Sequence, residues 1–318
     1  MAHAVVDPLD PRSRSARRGI PVPPHAYFMG SAVFHYLGPS FAVLLFARLD
    51  VLGVAWLRIA TAGLIFALWR RPWRAFARLD RNGQALIVAL GAVLAVMNVC
   101  FYLAISRLPL ATVAAIEFIG PIVLAAVGAR VPRNFIAVAV AVAGVYLLTH
   151  LRFVGEPLSL GFAFTNAALF ALYIILAHCI ARHPGMSGID GLAAAMIVAF
   201  VVVSPVGLGG ALRAFSDPLV LAAGIGVGVS SSVIPYVCDQ LAMVRLSRAS
   251  YALFVALLPA TATVIGVIVL RQLPSVSDLV GIALVMIGVG LHRAQPDGVE
   301  EQPQRRQALD GLRVEIGT

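Results

Sequence analysis

The sequence predicts an all-α integral membrane protein of ten transmembrane helices, arranged as two inverted five-helix repeats. Three observations carry that expectation. Apolar runs of membrane-spanning length recur along the whole chain, arginines crowd into alternate connectors, and a motif of the first half returns in the second.

A spanning helix needs about 20 mostly apolar residues. Such runs lie at 26–46, 52–69, 84–105, 109–128, 134–150, 158–181, 189–208, 217–238, 248–270 and 276–292. Composition agrees: 60% of residues are hydrophobic, 12% are charged, and the mean hydropathy is +0.92. A soluble domain carries roughly 25% charged residues to cover its surface. Strands of a membrane barrel would alternate apolar and polar residues. LIVALGAVLAVM (86–97) and AVAVAVAGVYLL (137–148) are instead apolar all round. In lipid, only a helix satisfies the backbone of such a segment by itself.

All 24 basic residues are arginine. Without lysine there is no P-loop and no Schiff-base chemistry. The net charge of +9 does not indicate nucleic acid, because the arginines sit in short clusters between apolar runs rather than along one face. Placing the N-terminus in the cytoplasm puts 18 arginines inside and five outside. The positive-inside rule therefore orients both termini inward, to the cytoplasm, and requires an even number of spans. Residues 1–25 and 293–318 are polar and read as disordered cytoplasmic tails rather than as a cleaved signal. Cys100, Cys179 and Cys238 all fall in apolar runs and suggest no disulfide framework. No cofactor or metal is expected, for no HExxH, GxSxG or metal-spaced Cys/His cluster occurs.

RLPLATVAAIEFIGP (107–121) aligns with RLSRASYALFVALLP (245–259), matching Arg107, Leu108, Ala111 and Pro121 to Arg245, Leu246, Ala249 and Pro259. Each copy joins the third and fourth spans of its half. The chain thus divides into repeats at 26–150 and 158–292. Five is odd, so the second repeat crosses the membrane in the opposite sense. Inverted repeats mark secondary transporters, whose substrate site lies near the midplane between the repeats.

WLRIATAGLIFALWRRPWR (56–74), MNVCFYLAISRLPLATVAAIEFIGPI (97–122), ALYIILAHCIAR (171–182) and SSVIPYVCDQLAMVRL (231–246) resemble the EamA-type drug/metabolite transporters, most of all their threonine/homoserine exporter branch. The resemblance covers about 26–292. It implies a place in the cell inner (plasma) membrane and, together with the inverted repeat and Glu117, proton-linked efflux of small amino acids by alternating access. The same fold would also serve an exporter of drugs or other metabolites, and a non-transporting membrane protein or enzyme is the alternative of another class. The chain departs from the family pattern where a Glu-Pro pair is replaced by Leu258-Pro259 and a Gly-Glu pair by Arg271-Gln272.

Glu117 is the foremost candidate for binding substrate or a proton. It lies about eight residues into the fourth span, roughly 12 Å deep at about 1.5 Å per residue. A carboxylate there is expensive and faces a cavity or the protein interior. It can exchange a proton or bind a substrate ammonium; its structural alternative is an ion pair with Arg58. Arg58 offers a guanidinium to a substrate carboxylate, against snorkelling or pairing. Asn98 and Tyr102, spaced i, i+4, share one helix face. His35, with its neighbour Tyr36, and Tyr173 are further polar candidates. Pro235 is expected to kink its span and free carbonyls for a gate or ligand, and Pro121 and Pro259, at repeat-equivalent positions, to be paired kinks used in rocking. Asp239 is expected to pair with Arg245 and Arg248. Gly224 and Gly228 form a GxxxG explained by close helix packing. The expected partners are a small-molecule substrate, a proton and the lipid bilayer.

Overall fold

The computed structural model describes residues 24–128, 131–149, 155–183, 188–238 and 257–291. These residues form helices and turns, with no strand among them. In chain order the helices are α1 (Pro24–Leu45), α2 (Val51–Arg70), the single turn α3 (Trp73–Phe76), α4 (Arg81–Ile105), α5 (Leu110–Glu117), α6 (Ile119–Gly128), α7 (Pro132–Thr149), α8 (Pro157–Ala181), α9 (Gly188–Ala211), α10 (Pro218–Gly228), α11 (Leu258–Leu270) and α12 (Val276–Leu291). Seven stretches of the described residues are helical, long and apolar enough to cross a membrane: Ala26–Leu45, Val51–Arg70, Arg81–Ile105, Pro132–Thr149, Pro157–Ile180, Ile189–Ser216 and Pro218–Cys238. Three shorter apolar helices, Leu110–Leu124, Leu258–Leu270 and Val276–Leu291, fall at the other three expected positions.

Local chemistry explains the starts and breaks. Asp50, Asp80 and Asp217 cap α2, α4 and α10 by accepting from Leu52, Gly83 and Leu219 backbone N–H groups. Ser275 and Asp278 cap α12 reciprocally: Ser275 N donates to Asp278 Oδ2 at 3.0 Å and Asp278 N to Ser275 Oγ at 3.2 Å. The expected fourth span is interrupted at Phe118, between α5 and α6. Pro121 lies three residues beyond the interruption. It has no N–H for the carbonyl of Glu117, and its ring crowds that carbonyl. A π-turn at Val229–Val233 precedes Pro235 in the expected eighth span, with Ile234 N bonded to Val229 O.

The core lies on the seam between the two halves. α2 packs on α9 and α10, α4 on α8 and α9, α7 on α12, α1 on α10 and α11, and α5 and α6 on α8. Glycines bring backbones together there. A Cβ at Gly144 would lie 2.6 Å from Gly281 O, and one at Gly281 would lie 2.8 Å from Gly144 O. A Cβ at Gly91 would meet Ala195 O and Val198 Cβ, whereas one at Gly228 would meet Arg58 O and Thr61 Cβ. One constant sequence offset relates Gly91 to Gly228, Arg58 to Ala195, Thr61 to Val198 and Gly144 to Gly281. The GxxxG of α10 accordingly serves close packing, with Gly224 set against Leu57 and Gly228 against Thr61.

Polar contacts tie the halves together at both ends. Where α2 ends and α4 begins, Arg70 Nε donates to Asp190 Oδ1 at 2.8 Å and His183 Nε2 lies 3.1 Å from Asp80 Oδ1. At the other end Arg107 pairs with Glu156 at 3.8 Å, and Gln272 Oε1 accepts from Leu110 N at 3.1 Å. The expected tails, most of the second motif copy and the expected pairing of Asp239 with Arg245 and Arg248 lie outside the described residues.

Candidate substrate site

Arg58 and Glu117 are the two charged side chains buried among the described residues, each 7% exposed. Both come from the first half, on α2 and α5. They are not ion-paired with each other, contrary to the structural alternative that would couple them. Each is held by neutral groups from the second half instead.

Arg58 Nε donates to Ser232 Oγ at 3.0 Å and Nη2 donates to Ser231 O at 3.2 Å. The guanidinium also lies over the Tyr102 ring, 5.3 Å from its centroid. Ser231 O is the carbonyl that the missing N–H of Pro235 would have bonded in a regular helix. The π-turn and the proline together therefore present this carbonyl to Arg58. α1 completes the arrangement. Ser31 Oγ donates to Pro235 O at 3.3 Å, and Gly38 has no room for a side chain beside the Ser231 backbone. A serine oxygen and a carbonyl occupy two of five N–H donors, so the fork retains donors for a ligand oxyanion.

Glu117 Oε1 accepts from Asn166 Nδ2 of α8 at 3.1 Å. Asn166 itself is fully buried. Glu117 is the last residue of α5, immediately before the Phe118 break. It lies within electrostatic reach of Arg58 and of Tyr36.

The other expected residues divide. Tyr36 and Tyr102 are fully buried, and His35 packs edge-on against Tyr36 at 5.1 Å within electrostatic reach of Arg58. These three belong with the charges. Asn98 shares its helix face with Tyr102 but turns its amide back to Leu94 O at 2.7 Å. Tyr173, half-buried, stacks on Phe170 of its own helix at 6.0 Å. Pro121 and Pro235 adjoin Glu117 and Ser231, and Pro259 opens α11 near its start. Sequence reasoning passed over Asn166, Ser231 and Ser232. Their signal is a lone amide in LGFAFTNAALF and a hydroxyl triplet in IGVGVSSSVIP, polar atoms placed where lipid offers them no partner.

Among known proteins, threonine/homoserine exporter RhtA of Salmonella typhimurium is 32% identical over 263 residues, covering 80% of this chain and 85% of that protein. Its namesake in Escherichia coli K12 is 32% identical over 244 residues, covering 74% and 79%. The model of the EamA-like transporter family matches residues 158–293. The chain belongs to the EamA-like transporter family. A solved crystal structure of another protein covers 86% of the chain with a TM-score of 0.59 at 16% identity, a likeness of fold alone. The EamA-like family is one of membrane transporters rather than enzymes. Among the described residues no group of three His, Cys, Asp or Glu is placed to hold a metal.

Proposed function

We propose that this chain is a secondary active exporter of small amino acids of the threonine/homoserine kind, linked to protons and working by alternating access. The observation that carries the proposal is the pair of buried opposite charges held apart by neutral groups of the other half. A buried charge satisfied only by neutral dipoles is costly to desolvate. A zwitterion complements the pair: its carboxylate fits the remaining Arg58 donors and its ammonium fits Glu117. A proton competes with the ammonium for the same carboxylate. Substrate and proton then leave and enter in exchange, which is the logic of antiport.

We further read the fold as ten spans in two inverted units, in an inner membrane with both termini cytoplasmic. The packing supports this, because residues related by the same sequence offset exchange roles across the seam. A pseudo-two-fold axis in the membrane plane would generate that reciprocity. The bonds holding Arg58 and Glu117 cross the seam, so rocking of one half on the other would remake them. Tyr102, Tyr36 and His35 would line the site, Asn98 and Tyr173 would support it, and Pro121, Pro235 and Pro259 would act as hinges.

The test is flux from proteoliposomes loaded with labelled L-threonine or L-homoserine under an imposed pH gradient. Protein-dependent, gradient-driven efflux that Glu117→Gln abolishes is the expected result. Absence of such flux refutes the amino-acid reading, and loss of a toxic compound instead would assign the fold a drug or other metabolite as cargo.

A further inference from the structure

Three polar atoms are enclosed and find no hydrogen-bond partner among the described residues: Tyr36 Oη, Tyr102 Oη and Asn166 Oδ1. All three side chains are fully buried. They are also grouped around the two charges. Asn166 bonds Glu117, Tyr36 lies within electrostatic reach of Glu117, and Tyr102 carries Arg58 on its ring. Buried polar groups in native folds are nearly always paired, so an unpaired cluster calls for an occupant.

The chemistry of these atoms limits what that occupant can be. Asn166 Nδ2 is committed to Glu117 Oε1, which fixes the amide orientation. Flipping it would set one oxygen against another. Oδ1 is therefore an acceptor that needs a donor. A tyrosine hydroxyl both donates and accepts. An alcohol seated beside Glu117 would donate to Asn166 Oδ1 and accept from Tyr36 Oη–H. A methyl group of the same size satisfies neither. The two charges already account for the α-carboxylate and α-ammonium of an amino acid. Tyr102 Oη lies beside Ser231 and Arg58, on the side where a substrate carboxylate oxygen would accept from it.

We infer that Asn166 and Tyr36 are specificity-determining residues that read a hydroxyl on the substrate's side chain. This deepens the exporter reading and rests on it. A site built to bond a hydroxyl strongly rejects the analogue that lacks it, because its own polar atoms are then left unpaired.

The experiment is competition for efflux of labelled L-threonine from proteoliposomes, using unlabelled L-threonine against its isostere L-valine and L-homoserine against L-norvaline. In the wild-type protein the hydroxylated member of each pair should compete about 100-fold or more strongly. Tyr36→Phe removes one oxygen and keeps the ring, and Asn166→Leu keeps the shape. Each should narrow the gap about tenfold or more. Tyr36→Phe alone suffices if Asn166→Leu, which also strips Glu117 of its partner, fails to fold. Valine competing as well as threonine in the wild type overturns the inference. So does threonine flux whose selectivity survives Tyr36→Phe unchanged, which leaves the exporter reading intact. Absence of flux for either amino acid overturns both.

Discussion

The backbone contact between α7 and α12 makes a sharp quantitative prediction about Gly144 and Gly281. A Cβ at Gly144 would sit 2.6 Å from Gly281 O and 3.0 Å from Leu284 Cβ. An ordinary carbon–oxygen contact is about 3.3–3.6 Å, so Gly144→Ala must part the helices by roughly 0.7 Å. A gap of that size forfeits a quarter to a half of each dispersion contact, each worth about 0.1–0.2 kcal/mol. With on the order of 30 such contacts along the seam, the loss is about 1–2 kcal/mol, within the usual range for overpacking. Gly281→Ala, with its Cβ 2.8 Å from Gly144 O, should cost about the same. The double variant should cost less than the sum by about 1 kcal/mol, because the first methyl has already opened the space the second needs. Unfolding of the detergent-solubilised protein by graded SDS, read by circular dichroism, gives the three values. Single effects below about 0.5 kcal/mol, the size expected of a substitution that touches nothing, would refute the close approach of the two backbones. Full additivity of the pair would refute it too.

Three further expectations follow from the same geometry. Gly228→Ala drives a methyl into Thr61 Cβ at 2.6 Å and Arg58 O at 3.0 Å, whereas Gly224→Ala meets only the tip of Leu57 at 2.6 Å; efflux should fall about 10- to 100-fold in the first and far less in the second. Arg58→Lys keeps the charge but loses the fork that reaches Ser232 Oγ and Ser231 O together, so threonine efflux should drop at least about tenfold without loss of folded protein by size-exclusion chromatography. Trp56→Phe deletes the 2.9 Å bond from Trp56 Nε1 to Ser204 Oγ across the seam and should lower the stability measured by SDS titration by about 1 kcal/mol.

The long helices were legible in the sequence because their signal is simply a long unbroken run of apolar residues. Among the described residues the expected fourth span is broken in two, and it shows why a hydropathy window could not foresee the break. The interruption at Phe118 changes no hydropathy; it is a steric consequence of Pro121 acting on the turn before it. The two buried charges were equally legible, since arginine and glutamate are conspicuous in apolar runs. Their partners were not. Serine and asparagine are cheap enough in a helix to pass as packing, and Asn166 meets Glu117 across 49 positions of sequence. The role of Pro235 was half visible: the sequence indicated a freed carbonyl, and only the fold reveals that Arg58 takes it. Asn98 was legible as a polar residue on the Tyr102 face, but that its amide turns back to Leu94 O is visible only in the fold.

The packing of the two halves is reciprocal, but their charges are not. Arg58 stands in the first half, and its counterpart at the same offset in the second is Ala195. On the exporter reading the site would therefore have a polarity that the reciprocal packing lacks, a single fixed arrow set on paired helices. Moving the arginine to its counterpart, as Arg58→Ala with Ala195→Arg, would ask the same helices to hold the ligand back to front.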